Sequence, residues 1–218
     1  MQGSLLCLFT GQLFKPVFFI EDTVLSEEEN IWESRYQAGT IGWDRGNTST
    51  NLYYWLDNGL LKPCRIIIPG CGNGYEVLTL AALGFDVVAI DIAPTAIENL
   101  QTMLDKEGLH ADLVLGDFFT WNPKDKFDAI FEQTSLCALP PELWAQYEEQ
   151  LHGWLKPQGK LLAQFMQTGR EGGPPFHCKL NDMHEIFLMD KWSWSEEHKS
   201  QEKEPGMTEL LYLLEKIN

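Results

Sequence analysis

Basic residues are scarce in this chain. Sixteen Lys and Arg stand against 32 Asp and Glu, giving a net charge of −16 over 218 residues. A surface this acidic repels phosphate backbones and anionic lipid, so neither nucleic acid nor a membrane is an expected partner. Cysteine is sparse as well. Cys7, Cys64, Cys71, Cys137 and Cys178 form an odd set without a CxxC pair. That argues against a disulfide framework or a metal site and fits a reducing, cytoplasmic compartment. Long apolar runs are also missing. The opening MQGSLLCLFTGQLFKPVFF is interrupted by Gly11, Lys15 and Pro16 and has no basic leader or small-residue cleavage site. Residues 1–25 therefore read as an arm, disordered or strapped along the domain, rather than a signal peptide or membrane span. No Ser-His-Asp or Cys-His constellation, internal repeat or low-complexity run is present.

What remains is a chain with 44% apolar residues, enough for one core, so residues 26–218 are expected to form a single domain. Ser26-Glu-Glu-Glu29 is a capping-box pattern that starts a helix near Glu27, ended by Ala38-Gly39. After the loop TIGWDRGNTST a second helix spans about Asn51–Asn58. Strands then alternate with helices. Strands are expected at Arg65–Pro69, Asp86–Ile90, Asp112–Leu115, Phe127–Phe131, Lys160–Met166, Trp192–His198 and Glu209–Glu215. Helices are expected at Tyr75–Leu83, Pro94–Lys106, Pro140–Leu155 and Asn181–Leu188. The spacing predicts an α/β fold with a mostly parallel sheet and helices on both faces. Charged SEEHKSQEKEPG, Ser195–Gly206, reads as a solvated loop or ragged strand ends.

The stretch IIIPGCGNGYEV, Ile66–Val77, places Gly70, Gly72 and Gly74 at a strand-to-helix junction. There glycine permits a tight turn and lets backbone N–H groups approach a ligand. The spacing is G-x-G-x-G, without the Lys-Ser/Thr of a P-loop, so a dinucleotide is the second-best reading. Asp91 ends the next strand, about 20 residues on, where a carboxylate can accept from both ribose hydroxyls. Asp117 ends the third strand, with Phe118 beside it to cover an adenine ring; Asp117 capping the next turn is the competing reading. Three successive strand ends of this kind describe an adenosine pocket, and S-adenosylmethionine fits it better because no pyrophosphate cradle is evident.

The pieces WESRYQAGTIGWD, IIIPGCGNGYEV, VVAIDIAPTAIE, GDFFTWNPKDKFDAIFEQTSLCALPP, LKPQGKLL and GGPPF resemble the thiopurine methyltransferase superfamily of class I S-adenosylmethionine-dependent methyltransferases, in its halide/thiol branch. The resemblance implies a Rossmann-like sheet of seven strands with the last antiparallel, and an N-terminal helical lid over residues 26–60. It implies that Trp32, Tyr36 and Trp43 are lid aromatics over the cofactor, that Gly70 and Gly72 belong to the cofactor loop, and that Asp91 and Asp117 hold ribose and adenine. Gln133 falls where plant halide/thiol relatives carry Tyr and thiopurine relatives tend to carry Arg. Trp144 stands where many relatives place an Arg. Ile68 stands where many class I methyltransferases have an acid, which leaves the methionine part of the cofactor to the loop backbone and the lid.

Methyl transfer from a sulfonium needs alignment and desolvation more than a strong base. Aromatic faces suit the cationic donor through cation–π attraction of ~0.5–2 kcal/mol. Gln133, Trp144 and Phe176 are the acceptor-site candidates, the last two as apolar wall, with GGPPF closing that side. Without the resemblance, Trp32 and Tyr36 at helical spacing read more readily as core than as a cofactor cage. Cys71 and Cys137 read as packed residues, and His177 as either an acceptor-site base or a solvated loop residue. The expected function is methylation of a small soft nucleophile (thiol, hydrosulfide or halide) by a monomer. Thiopurine-type methylation of aromatic thiols, a non-catalytic S-adenosylmethionine binder and a nicotinamide oxidoreductase are the alternatives.

Overall fold

The structure, a computed structural model, describes residues 18–19, 27–196, 198–204 and 206–217. Most of the 1–25 arm, and the capping role of Ser26, lie outside the described residues. The elements in chain order are β1 (Phe18–Phe19), α1 (Glu27–Gln37), α2 (Thr50–Asp57), β2 (Arg65–Pro69), α3 (Tyr75–Ala82), β3 (Asp86–Asp91), α4 (Pro94–Glu107), β4 (Asp112–Leu115) and β5 (Phe127–Glu132). They are followed by α5 (Trp144–Trp154), β6 (Leu155–Gln167), α6 (Leu180–Ile186), β7 (Trp192–Trp194), β8 (His198–Glu204) and β9 (Met207–Lys216).

The strands lie in the order β1-β4-β3-β2-β5-β6-β9-β7, with β8 also paired to β9. Neighbours from β1 to β6 are parallel, and β9 runs antiparallel to β6. The seven expected strands are all present. Two are added. Phe18–Phe19, within the arm, pairs with Val114–Leu115. His198–Glu204, in the segment read as solvated loop or ragged strand ends, is a full strand paired with β9.

Apolar runs such as Ile66-Ile67-Ile68 face helices on both sides. Ile66 and Ile68 join one core with Leu52, Trp55, Val77, Leu80 and Leu100, from α2, α3 and α4. Ile67 joins the other, with Trp144, Tyr147, Leu151 and Trp154 of α5. That is why these strands read as unbroken apolar runs rather than as alternation. The helix expected from Pro140 begins later. Residues Leu136–Ala138 and Pro141–Leu143 are 3-10 turns, and α5 starts at Trp144. Pro141 disfavours the α region for the residue before it, so Pro140 is extended at ψ 139° and stays out of the helix. β6 also starts earlier than expected, at Leu155, directly after α5.

Among the described residues, no helix is long and apolar enough to cross a membrane. Cys64, Cys71, Cys137 and Cys178 are free thiols.

Candidate active site at the carboxyl ends of the strands

The glycine loop leaves β2 with Gly70, Gly72 and Gly74 all in the left-handed region, at φ 56°, 55° and 72°. An added Cβ at Gly70 would stand 2.3 Å from Ser135 Oγ, and at Gly74 2.5 Å from a Leu100 methyl. Ser135 donates to the Pro69 carbonyl at 2.7 Å, tying the end of β2 to the chain leaving β5. The loop is therefore both conformationally strained for any side chain and pressed against its neighbours.

Asp91, only 7% exposed, closes β3 beneath this loop. Its Oδ2 accepts from the Gly72 N–H at 2.8 Å and its Oδ1 from the Ala93 N–H at 2.9 Å. Burial pushes its pKa up, against the pull of these amides. Each oxygen keeps a second lone pair. Two vicinal hydroxyls would complete that set, so the residue fits a ribose. The Asp91 carbonyl accepts from Gly116 N–H at 2.9 Å, which brings Asp117 to the same rim. Asp117 Oδ1 accepts from the Phe119 N–H at 2.8 Å, the turn-capping contact weighed against adenine binding. Phe118 is half-buried, with its ring 5.1 Å from Tyr147 and 4.8 Å from Phe119.

The segment expected as a lid, α1 and the loop after it, reaches the glycine loop through Tyr36 and Asp44. Trp43 packs edge-on against Trp32 at 5.3 Å and Tyr36 at 5.9 Å. A Cβ added to Gly72 would meet the Tyr36 hydroxyl at 2.9 Å. Burial and the nearby Asp91 raise the Tyr36 pKa far above its usual range, so this hydroxyl stays a donor. The Arg35 guanidinium sits 5.2 Å from the Trp32 ring and 5.9 Å from that of Trp43. Glu33 docks the lid helix: it accepts from the Thr95 N–H at 3.0 Å and the Thr95 hydroxyl at 2.5 Å, at the start of α4. Asp44 accepts from Asn73 Nδ2 and from the Gly46 N–H, joining the lid loop to the glycine loop.

Gln133 follows β5, and its Oε1 is buried without a hydrogen-bond partner among the described residues. Thr134 next to it has φ 65°, which is rare for a β-branched residue and the kind of strain held at functional sites. Glu132, 1% exposed, secures the turn by accepting from the Leu136 N–H at 2.8 Å. Trp144, expected as apolar wall of the acceptor site, is instead 4% exposed in the core. Its indole N–H donates to the Leu136 and Leu139 carbonyls at 2.9 and 3.1 Å, pinning the 3-10 turn from below. Phe176 is half-buried, and its N–H donates to the Cys137 carbonyl at 2.7 Å, fastening GGPPF to that turn. His177 Nδ1 accepts from the Thr168 N–H at 3.0 Å, so it anchors its own loop. Cys71 is buried beside Asp91, and both effects hold its thiol well above the ordinary range, which excludes a resting thiolate.

The structure thus brings Tyr36, Gly70, Gly72, Asp91 and Asp117 to one rim and sends Trp144 into the core. Sequence reasoning missed Ser135, Glu33 and Thr95. Their roles depend on partners far along the chain, and no local pattern marks them.

A parallel sheet in this order, with its seventh conventional strand antiparallel and a glycine loop over an acid at the next strand end, defines a class I S-adenosylmethionine-dependent methyltransferase. The comparisons agree and narrow the class. A family model described as thiopurine S-methyltransferase matches residues 27–213, and the chain belongs to that family. It is 35% identical over 163 residues to probable thiol methyltransferase 2 of Arabidopsis thaliana, covering 72% of this chain and 71% of that one. It is 30% identical over 173 residues to thiocyanate methyltransferase 1 of Brassica oleracea, covering 78% and 75%. Its fold is similar to that of the magnesium protoporphyrin IX methyltransferase of Synechocystis with bound S-adenosylhomocysteine, with TM-score 0.69, 15% identity, and 86% and 99% of the two chains covered.

Proposed function

We propose that the protein transfers the methyl group of S-adenosylmethionine to a small soft nucleophile: a thiol, hydrosulfide or halide. The observation that carries the cofactor half is Asp91, whose oxygens each hold one backbone N–H and keep a lone pair for a ribose hydroxyl. Support for the acceptor half comes from relatives named for thiol and thiocyanate methylation.

When bound, S-adenosylmethionine supplies a methyl group on a leaving group that is already activated. The chain's residues then have to bind, orient and exclude water. Asp91 orients the ribose, and Asp117 and Phe118 serve the adenine end. The side-chain-free loop at Gly70 and Gly72 offers backbone to the methionine part. Trp32, Tyr36 and Trp43 form an apolar cover, with Tyr36 as a neutral donor. Gln133 stands at the acceptor end with an unused carbonyl oxygen that can take a hydrogen bond from a thiol S–H. Phe176 walls that end through its tie to Cys137. A thiol with pKa near 8.5 is partly ionised at neutral pH, so no dedicated base is needed.

The second reading, methylation of aromatic thiols, is favoured by the family model itself. An acceptor panel of iodide, hydrosulfide and a thiophenol, read by headspace detection of methyl iodide and methanethiol and by chromatography of the aryl thioether, separates the two. Turnover of iodide or hydrosulfide well above that of the thiophenol is expected. Turnover of the aromatic thiol alone would select the second reading, and no turnover of any acceptor would overturn both.

A further inference from the structure

The motif LKPQGKLL has no part in the rim described above. It lies at the opposite, amino-terminal end of the sheet. There Leu155 pairs with Phe127 and Lys160 with Ala129, so residues 156–159 bulge out opposite Asp128 alone. The bulge and the segment leading into β2 enclose a cleft of about 370 Å³, lined by Lys62, Cys64, Asp128, Lys156, Gly159 and Lys160 among others. That volume is in the range of small-ligand pockets.

Three lysines on one cleft are notable in a chain with 16 basic residues and net charge −16. Two of them are fixed. Lys156 Nζ lies 2.8 Å from Asp128 Oδ1, and Lys160 Nζ donates to the Leu60 carbonyl at 3.2 Å. Asp128 is also held by the Arg65 N–H at 3.2 Å. Lys62 is exposed and forms no ion pair among the described residues. Three ammonium groups against one carboxylate leave the cleft positive. The Cys64 thiol registers all the fixed charges: burial and Asp128 raise its pKa while Lys156 and Lys160 lower it, for a value of about 11. Bulges of this kind re-aim side chains and recur beside binding sites.

We propose that this cleft is a second ligand site, for a small dianion bearing a phosphate or dicarboxylate group. Lys62, Lys156 and Lys160 are its ligands, with ammonium N–H donors left over after the contacts above. β5 links the cleft to Gln133, spanning Phe127–Glu132, or roughly 16 Å at 3.3 Å per residue. The site is therefore distinct from the cofactor rim and does not depend on the acceptor reading.

The test is isothermal titration of the full chain with pyrophosphate, inorganic phosphate and succinate at low salt. Saturating S-adenosylhomocysteine keeps the cofactor rim from taking up the probe. Saturable binding of at least one anion is expected, weakened by about tenfold in Lys62→Glu and in Lys160→Met. Both variants should bind S-adenosylhomocysteine as the parent does. Lys62 is exposed, so its replacement leaves the fold intact even if Lys160→Met does not. Preference for phosphate or for succinate identifies the head group, and either one supports the site. No binding at millimolar anion, or binding that both variants retain, overturns it.

Discussion

A carboxylate that is buried and still short of donors is the residue on which the cofactor reading turns. Asp91→Ala is expected to weaken S-adenosylhomocysteine binding by about 1.5–3 kcal/mol, the range for a hydrogen bond to a charged group, measured by isothermal titration. Part of that loss comes through the loop, since Gly72 N–H also loses its acceptor. Gly70→Ala tests the floor of the site. Its methyl would collide with Ser135 Oγ at φ 56°, so a loss of roughly 1–3 kcal/mol in urea unfolding is expected. Asp91 and the glycines were legible in the sequence because strand, loop and acid occur at a fixed spacing. Trp144 was not. A tryptophan on a helix reads equally as pocket wall or core until its N–H partners, the Leu136 and Leu139 carbonyls, are known.

Elements depend on contacts that sequence spacing does not carry. Helix α1, the expected lid, was legible from the sequence as a helix starting near Glu27, but not where it docks. Glu33 reaches across 62 residues to cap the start of α4 at Thr95, where the N-cap Ala93 has no side chain to do so. Burial raises the Glu33 pKa, but the Thr95 and Gln37 donors outweigh it and the net shift is downward from 4.5. A depressed carboxylate contributes stability that is present above its ordinary pKa and lost as pH falls through the folded value. Glu33→Gln should therefore loosen the lid at neutral pH, seen as faster amide exchange in Glu27–Gln37 and weaker S-adenosylhomocysteine binding. If exchange in that helix is unchanged, Glu33 is not the dock. The late start of α5 and the early start of β6 show the other limit: proline chemistry sets where a helix begins, and only the neighbouring strand decides that 156–159 become a bulge.

Across the whole molecule, the parallel sheet followed from βαβ spacing, and its order from the family resemblance alone. The pairing of charged His198–Glu204 did not, because its partner β9 is what makes a strand of it. One global property is testable by pH. His152, at the end of α5, has its pKa lowered from 6.5 to about 4, by burial first and then by Lys216, Lys191 and Lys126. The unfolded chain binds this proton more readily, so stability falls as pH drops through that window. Urea unfolding between those limits should be less steeply pH-dependent in His152→Gln than in the parent, and identical slopes would exclude this histidine as a contributor.

Strand β9 pairs with β6, β7 and β8 together, and it is synthesised after all three. A ribosome-bound chain thus holds Gly70, Gly72, Asp91 and Asp117 while β6 still shows a bare hydrogen-bonding edge to solvent. Such an edge invites sticking to other chains, so the docking of β9, rather than formation of the glycine loop, sets when the nascent enzyme is safe from aggregation.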